Sequence, residues 1–172
     1  HQYARVQDPS NVLRGICEQT LGYYDQLENP GIQIEEKSGF LQVFLSRCYY
    51  RTREYAKAAA AGQAAWEKGE ALRQTVDTQT AKDLDVKPLV LAAWGRLEQA
   101  KAELRQGNVL LAQVYLAECA DEYFPRMDRQ YVSEAETVQG ECRLELGMNE
   151  EVRATVLEKL ISTDESIDKG LW

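Results

Sequence analysis

This chain has a single imidazole for acid–base chemistry, and it sits at the first position, His1. General-base catalysis by histidine, a Ser-His-Asp or Cys-His arrangement, and a histidine-bearing zinc site all need an imidazole held inside the fold. Copper chelation by the amine and ring of His1 would need a second histidine, and the sequence has none. Carboxylates are plentiful, with Glu35-Glu36 and the pair Asp83 and Asp85 as the obvious clusters. Both clusters lie in polar stretches, where solvated groups are expected rather than a pair with displaced pKa values. Cys17, Cys48, Cys119 and Cys142 are far apart with no C-x-x-C pair, which is not a zinc spacing. Each falls among apolar neighbours at helical period and reads as a small buried residue, with disulfides the alternative after export. Neither G-x-x-x-x-G-K-[ST] nor G-x-G-x-x-G occurs. The expectation is no enzyme and no cofactor or metal.

Composition bounds the size of the core and the classes of partner. The chain has 172 residues, 44% of them hydrophobic, enough for one substantial core without metals or disulfides. No uninterrupted apolar run approaches the roughly 20 residues that span a bilayer. A net charge of -8 opposes extended contact with phosphate backbones, so no nucleic-acid partner is expected. Through Val86 there are ten basic and twelve acidic residues, and afterwards ten and sixteen, so the acidity is mostly in the later half. A start at His1 rather than Met suggests a processed chain, exported or excised from something longer.

The periodicity is helical throughout, which makes the fold class all-α. Val12, Leu13, Ile16, Cys17, Leu21, Tyr24 and Leu27 recur at intervals of three and four after Asp8-Pro9, and Asn29-Pro30-Gly31 ends that helix. A second helix from about Ile34 carries Leu41, Phe44, Leu45 and Cys48 on its buried face. A third runs from Glu54 to about Thr75, rich in alanine. The polar, β-branched stretch after it reads as a connection with one short helical turn. Pro88 suits a first helical position for a helix carrying Leu89, Ala93, Leu97, Ala100 and Leu104, stopped by Gln106-Gly107-Asn108. The next carries Val109, Ala112, Leu116, Cys119, Ala120 and Tyr123 and closes at Pro125. A final pair is expected over about 130–146 and 149–161, with a turn at Gly147-Met148-Asn149. Residues 1–165 read as one domain and 166–172 as a frayed tail.

From Leu45 to Trp66 the spacing is Leu45, a small Ser46, Tyr49 four after the leucine, Tyr55 six further on and Ala58 three after that. This resembles a tetratricopeptide repeat. The resemblance implies antiparallel helix pairs stacked as a short right-handed solenoid, with Ser46, Ala58 and Ala65 at the small positions where helices approach closely. Gly62 stands where the family has a large apolar residue, and Glu70 where it has a closing proline. Turns near Arg53, Gly107 and Gly147 mark three pairs. A non-repeating helical bundle is the alternative for the same periodicity.

The resemblance further implies a concave groove lined by Phe40, Val43, Arg47, Tyr50 and Arg51 from one first helix and Trp94, Leu97, Lys101 and Arg105 from the next. The third pair offers Glu134, Glu141 and Glu145, so the groove is expected to change sign along its length. A scaffold or adaptor binding a protein or peptide partner follows, with an acidic or carboxylate-ended peptide bearing an apolar anchor as the fitting occupant. The contrasting reading is a helical-bundle enzyme or small-molecule carrier with an unadvertised pocket. Self-association of the groove into a homo-oligomer is a third.

Overall fold

The computed structural model describes residues 9–147, and among them there are helices and no strand. Helix α1 spans Pro9–Tyr24, and its main neighbour is α2, Ile32–Arg51. A helix resting mainly on one neighbour buries a narrow stripe. Cys17 and Leu21 are therefore inside, against Leu45 and Ala61, whereas Val12, Leu13, Ile16 and Leu27, expected in the core, are exposed. Phe44 of α2 is likewise exposed, and the buried face of that helix is made by Gly39, Val43, Leu45, Ser46 and Cys48.

Helix α3, Tyr55–Thr75, is followed by the short α4, Thr78–Asp83, in the connection where one turn of helix was expected. The Asp77 carboxylate caps α4 by accepting from the Gln79 and Thr80 amides, both at 2.9 Å. Helix α5, Pro88–Arg105, begins with its proline where no N–H is needed. Its entry is tied to α2, because the buried Glu36 carboxylate accepts from the Lys87 amide. Glu36 is thus a structural acceptor and not a solvated acid, while Glu35 pairs with Lys68 at 2.9 Å. Helix α6, Val109–Glu118, runs on through a π turn, Cys119–Tyr123, and a 3-10 turn, Phe124–Arg126. Asp128 then caps α7, Arg129–Glu145, by accepting from the Tyr131 amide at 2.9 Å. The second helix expected over 149–161 and the tail 166–172 lie outside the described residues.

Helices α2, α5 and α7 end with a residue in the left-handed region, Arg53 at φ 63°, Gly107 at φ 85° and Gly147 at φ 69°, and the short α4 does so at Asp85, φ 50°. At the first two, the full pair of reversed bonds that closes a helix C-terminus is present: Glu54 N–H to Tyr49 O with Arg53 N–H to Tyr50 O, and Asn108 N–H to Glu103 O with Gly107 N–H to Leu104 O. Counting back seven from the left-handed residues of α2, α5 and α7 gives Ser46, Ala100 and Gly140, and counting back five gives Cys48, Ala102 and Cys142; all six are buried. Arg53 holds its conformation against the steric cost of a Cβ. Arg53→Gly should therefore raise stability by about 1 kcal/mol, or about 2–4 °C in melting temperature. A melt followed by circular dichroism that moved down instead would show that the arginine side chain contributes more than its backbone costs.

Each helix then packs on its neighbours in a regular order. Helix α2 lies on α3, α3 on α5, α5 on α6 and α6 on α7, while α2 also meets α5 and α5 meets α7. The tightest joint is between α3 and α5. A Cβ on Gly62 would lie 2.6 Å from Gln99 N, one on Gly69 2.4 Å from Ala92 N, and one on Gly95 2.4 Å from Trp66 N. Backbone thus meets backbone there, with no side chain between. Ala58 and Ala65 of α3 are fully buried, and Ser46 Oγ donates to Ala58 O at 2.8 Å across the α2–α3 contact. The main core lies beyond this joint, where Leu97 and Ala100 of α5, Leu116 and Cys119 of the α6 segment, and Tyr131 and Ala135 of α7 cluster together.

Candidate binding groove

Helices α2, α5 and α7 present one face on which charged and aromatic side chains are interleaved. Arg47 Nε donates to Glu98 Oε1 at 2.7 Å, and its guanidinium lies over the Trp94 ring, 4.7 Å from the centroid. Lys101 Nζ sits 3.1 Å from Glu98 Oε2 and 2.7 Å from Glu134 Oε1. Arg105 Nε donates to the Tyr50 hydroxyl at 2.8 Å and pairs with Glu141 at 2.9 Å. The series Arg47, Glu98, Lys101, Glu134 is a chain of alternating charges that crosses from α2 through α5 to α7.

Burial makes this chain more than surface decoration. Glu98 is only 1% exposed, and Arg47 and Lys101 beside it offset the water it has lost. Burial alone would lower the Lys101 pKa, but the carboxylates of Glu98 and Glu134 outweigh it and hold that pKa above the ordinary lysine value. The lysine therefore stays charged at neutral pH.

The helices meet in one register across the face. Arg47 and Lys101 each lie six residues before their left-handed turn residue, and each meets a residue thirteen before the turn on the next helix, Trp94 and Glu134. The joint of α2 with α5 and that of α5 with α7 thus place equivalent positions together.

Two clefts open between these helices. One of about 440 Å³ has Leu104 and Val138 among its lining, with Lys101, Arg105, Glu134 and Glu141 and, from α7, Gln130, Ser133 and Thr137. The other, of about 410 Å³, is lined by Arg47, Arg51, Trp94 and Glu98. Tyr50, Lys101, Gln130 and Glu134 line both, so the two are lobes of one furrow.

Of the nine residues expected in a groove, Arg47, Tyr50, Arg51, Trp94, Lys101 and Arg105 line this furrow. Val43 and Leu97 do not, because both are core residues. Val43 clusters with Leu91 of α5, and Leu97 shares the core with Tyr131 and Ala135 of α7. Phe40 is half-buried against the Val43 cluster. Glu134 and Glu141 neutralise Lys101 and Arg105 across helices, so the acids of α7 are matched to the cations of α5. Glu98, Leu104, Val138 and the polar wall of α7 were not expected. Glu98 and Lys101 lie three apart on one helix, a cue to a local pair, but nothing in the sequence marks Arg47, fifty-one positions away, as the partner of Glu98.

A second polar cluster joins α3, α5 and α6. Arg96 is stacked between Trp66 and Tyr115, at 3.6 and 4.4 Å from the ring centroids, and pairs with Glu118 at 2.9 Å. Trp66 Nε1 donates to the Tyr123 hydroxyl, which donates to Glu70, and Arg73 bridges Glu70 and Glu122. These contacts tie the helices together, although the buried Arg96 Nε has no hydrogen-bond partner among the described residues. All four cysteines are buried. Burial pushes the thiols of Cys119 and Cys142 up to about 11, which leaves them protonated and weakly nucleophilic at neutral pH.

No known family, curated protein or solved structure matches this chain. Among the described residues, no helix is long and apolar enough to cross a membrane, and no group of three His, Cys, Asp or Glu side chains could hold a metal ion.

Proposed function

We propose that this chain is a protein-interaction module of tetratricopeptide-like design, a short solenoid that holds a segment of a partner protein across the face made by α2, α5 and α7. The observation that carries this reading is the single furrow crossing three equivalent helices, with aliphatic and aromatic surface between its charges. A groove that runs across stacked helices suits an extended chain, whereas a small-molecule site is usually more enclosed. The repeated register of the helices supports the solenoid over an irregular bundle. The furrow holds neither histidine nor cysteine, and each of its carboxylates is matched to a cation, so a scaffold fits better than an enzyme.

A photo-reactive residue makes the test direct. With p-benzoylphenylalanine at the exposed Ser133 in the furrow, irradiation in a native extract should give a discrete adduct of higher mass, while the same residue at exposed Lys82 on α4 should not. Equal labelling from both positions, or none from Ser133, would remove the furrow as the binding face. A small molecule retained in native mass spectra of the purified protein would instead favour a carrier.

A further inference from the structure

The donors left over in the furrow say what its occupant carries. Four cations line it, but they are not equivalent. Lys101 is held by two carboxylates, and Arg105 is engaged by both Tyr50 and Glu141. Arg47 uses only Nε, on Glu98, so its two terminal amino groups have no hydrogen bond among the described residues. Arg51, one helical turn on, is exposed and has no ion pair among the described residues. The two guanidiniums therefore offer free paired donors at one end of the furrow, the arrangement that takes a carboxylate in bidentate fashion. Charge agrees: the lobe with Arg47, Arg51 and Lys101 has only Glu98 and Glu134 against three cations, whereas in the other lobe two cations face two acids. That second, neutral lobe contains Leu104 and Val138 and suits an apolar side chain.

Resting on the reading of this furrow as a binding face, we propose that its occupant is an extended peptide segment with an acidic side chain on Arg47 and Arg51 and an aliphatic or aromatic side chain about four residues away, over Leu104 and Val138. The spacing follows from the helices. Neighbouring axes are about 9 Å apart, the acid lies on α2 and the anchor between α5 and α7, so the separation is about 13 Å. Four extended residues, at about 3.3 Å each, cover it.

The probes are fluorescein-labelled ten-residue peptides of serine and glycine with one glutamate and one leucine spaced two, four or six apart, read by fluorescence polarisation. The peptide with spacing four should bind at least tenfold tighter than the other two, and replacing its glutamate by glutamine should cost about tenfold. Arg51→Gln should remove most of that preference for glutamate, and Ser133→Trp, which fills the apolar lobe from an exposed position, should weaken every peptide. Equal binding of the glutamate and glutamine peptides, or indifference to spacing, overturns the proposal while leaving the furrow intact if Ser133→Trp still blocks. Binding that neither variant changes overturns the furrow itself, and failure of all peptides to bind up to millimolar concentration overturns the two-point occupant.

Discussion

Gly95→Ala should destabilise this protein by about 2 kcal/mol, although the same change in an open helix is favourable. Alanine in a helix interior gains about 1 kcal/mol over glycine. At Gly95 the new methyl would lie 2.4 Å from Trp66 N and 2.9 Å from Ala65 C, and neither backbone atom can step aside without moving the whole of α3. Overpacking of this kind costs about 3 kcal/mol, which outweighs the gain. The melting temperature should fall by about 4–8 °C for a chain of this length. Gly95→Leu, with three more carbons in the same space, should lose more than about 4 kcal/mol and fail to fold at 37 °C. Gly15→Ala and Gly22→Ala in α1, where nothing lies within 4 Å of the added carbon, are the internal controls and should raise stability by about 1 kcal/mol each. If Gly95→Ala melted with the controls, the backbone-to-backbone joint between α3 and α5 would be wrong.

Arg47→Glu should be nearly as damaging, for an electrostatic reason. It removes one of the two cations beside a carboxylate that is 1% exposed and sets a second carboxylate there. Breaking a buried pair in this way costs about 3–5 kcal/mol. The sign of the pH dependence separates this cause from lost packing. Two facing carboxylates raise each other's pKa in the folded state above the unfolded value, so protonation favours the fold. The variant should therefore recover stability relative to wild type as pH falls toward the ordinary carboxylate range, and urea melts at two pH values read that directly. Adding Glu98→Gln to the same chain should restore part of the loss at neutral pH. A deficit independent of pH, with no recovery in the double variant, would mean that Arg47 contributes by stacking on Trp94 instead.

Arg47 and Arg51, both expected in the groove, are not alike: Arg47 is tied to a buried acid, whereas Arg51 is exposed. Their spacing, i and i+4, places them on one face, and that much was legible. Helix α2 gives no sign that Arg47 reaches a buried acid on α5, because the partner is set by how two helices cross. Helix positions were legible for a related reason: caps, prolines and glycines act locally, so Pro88, Gly107 and Gly147 mark boundaries without reference to the rest of the chain. Burial was less so. Val12, Leu13 and Ile16 have a helical period that promises a core, but α1 rests mainly on one neighbour and leaves them outside. Gly62 looked like a defect in the repeat pattern, and is instead a point where α5 comes within backbone distance of α3. The close approach was expected between α2 and α3, at Ser46 and Ala58. The tighter one lies between successive pairs, which no spacing within a single pair can reveal.

The glycine joint also decides where the helices can shift. Helices that meet through interlocking side chains can slide by exchanging rotamers, as in shear motions between packed helices. Where Gly62, Gly69 and Gly95 bring two backbones together there are no rotamers to exchange, and the first pair moves with α5 as one stiff lever. The joint of α5 with α7 is built differently, from long, jointed side chains such as Lys101 with Glu134 and Arg105 with Glu141. Compliance in the furrow therefore belongs to its α7 wall. The lobe between α5 and α7 is the jaw that adjusts to what it grips, and the lobe at Arg47 and Trp94 is the fixed one.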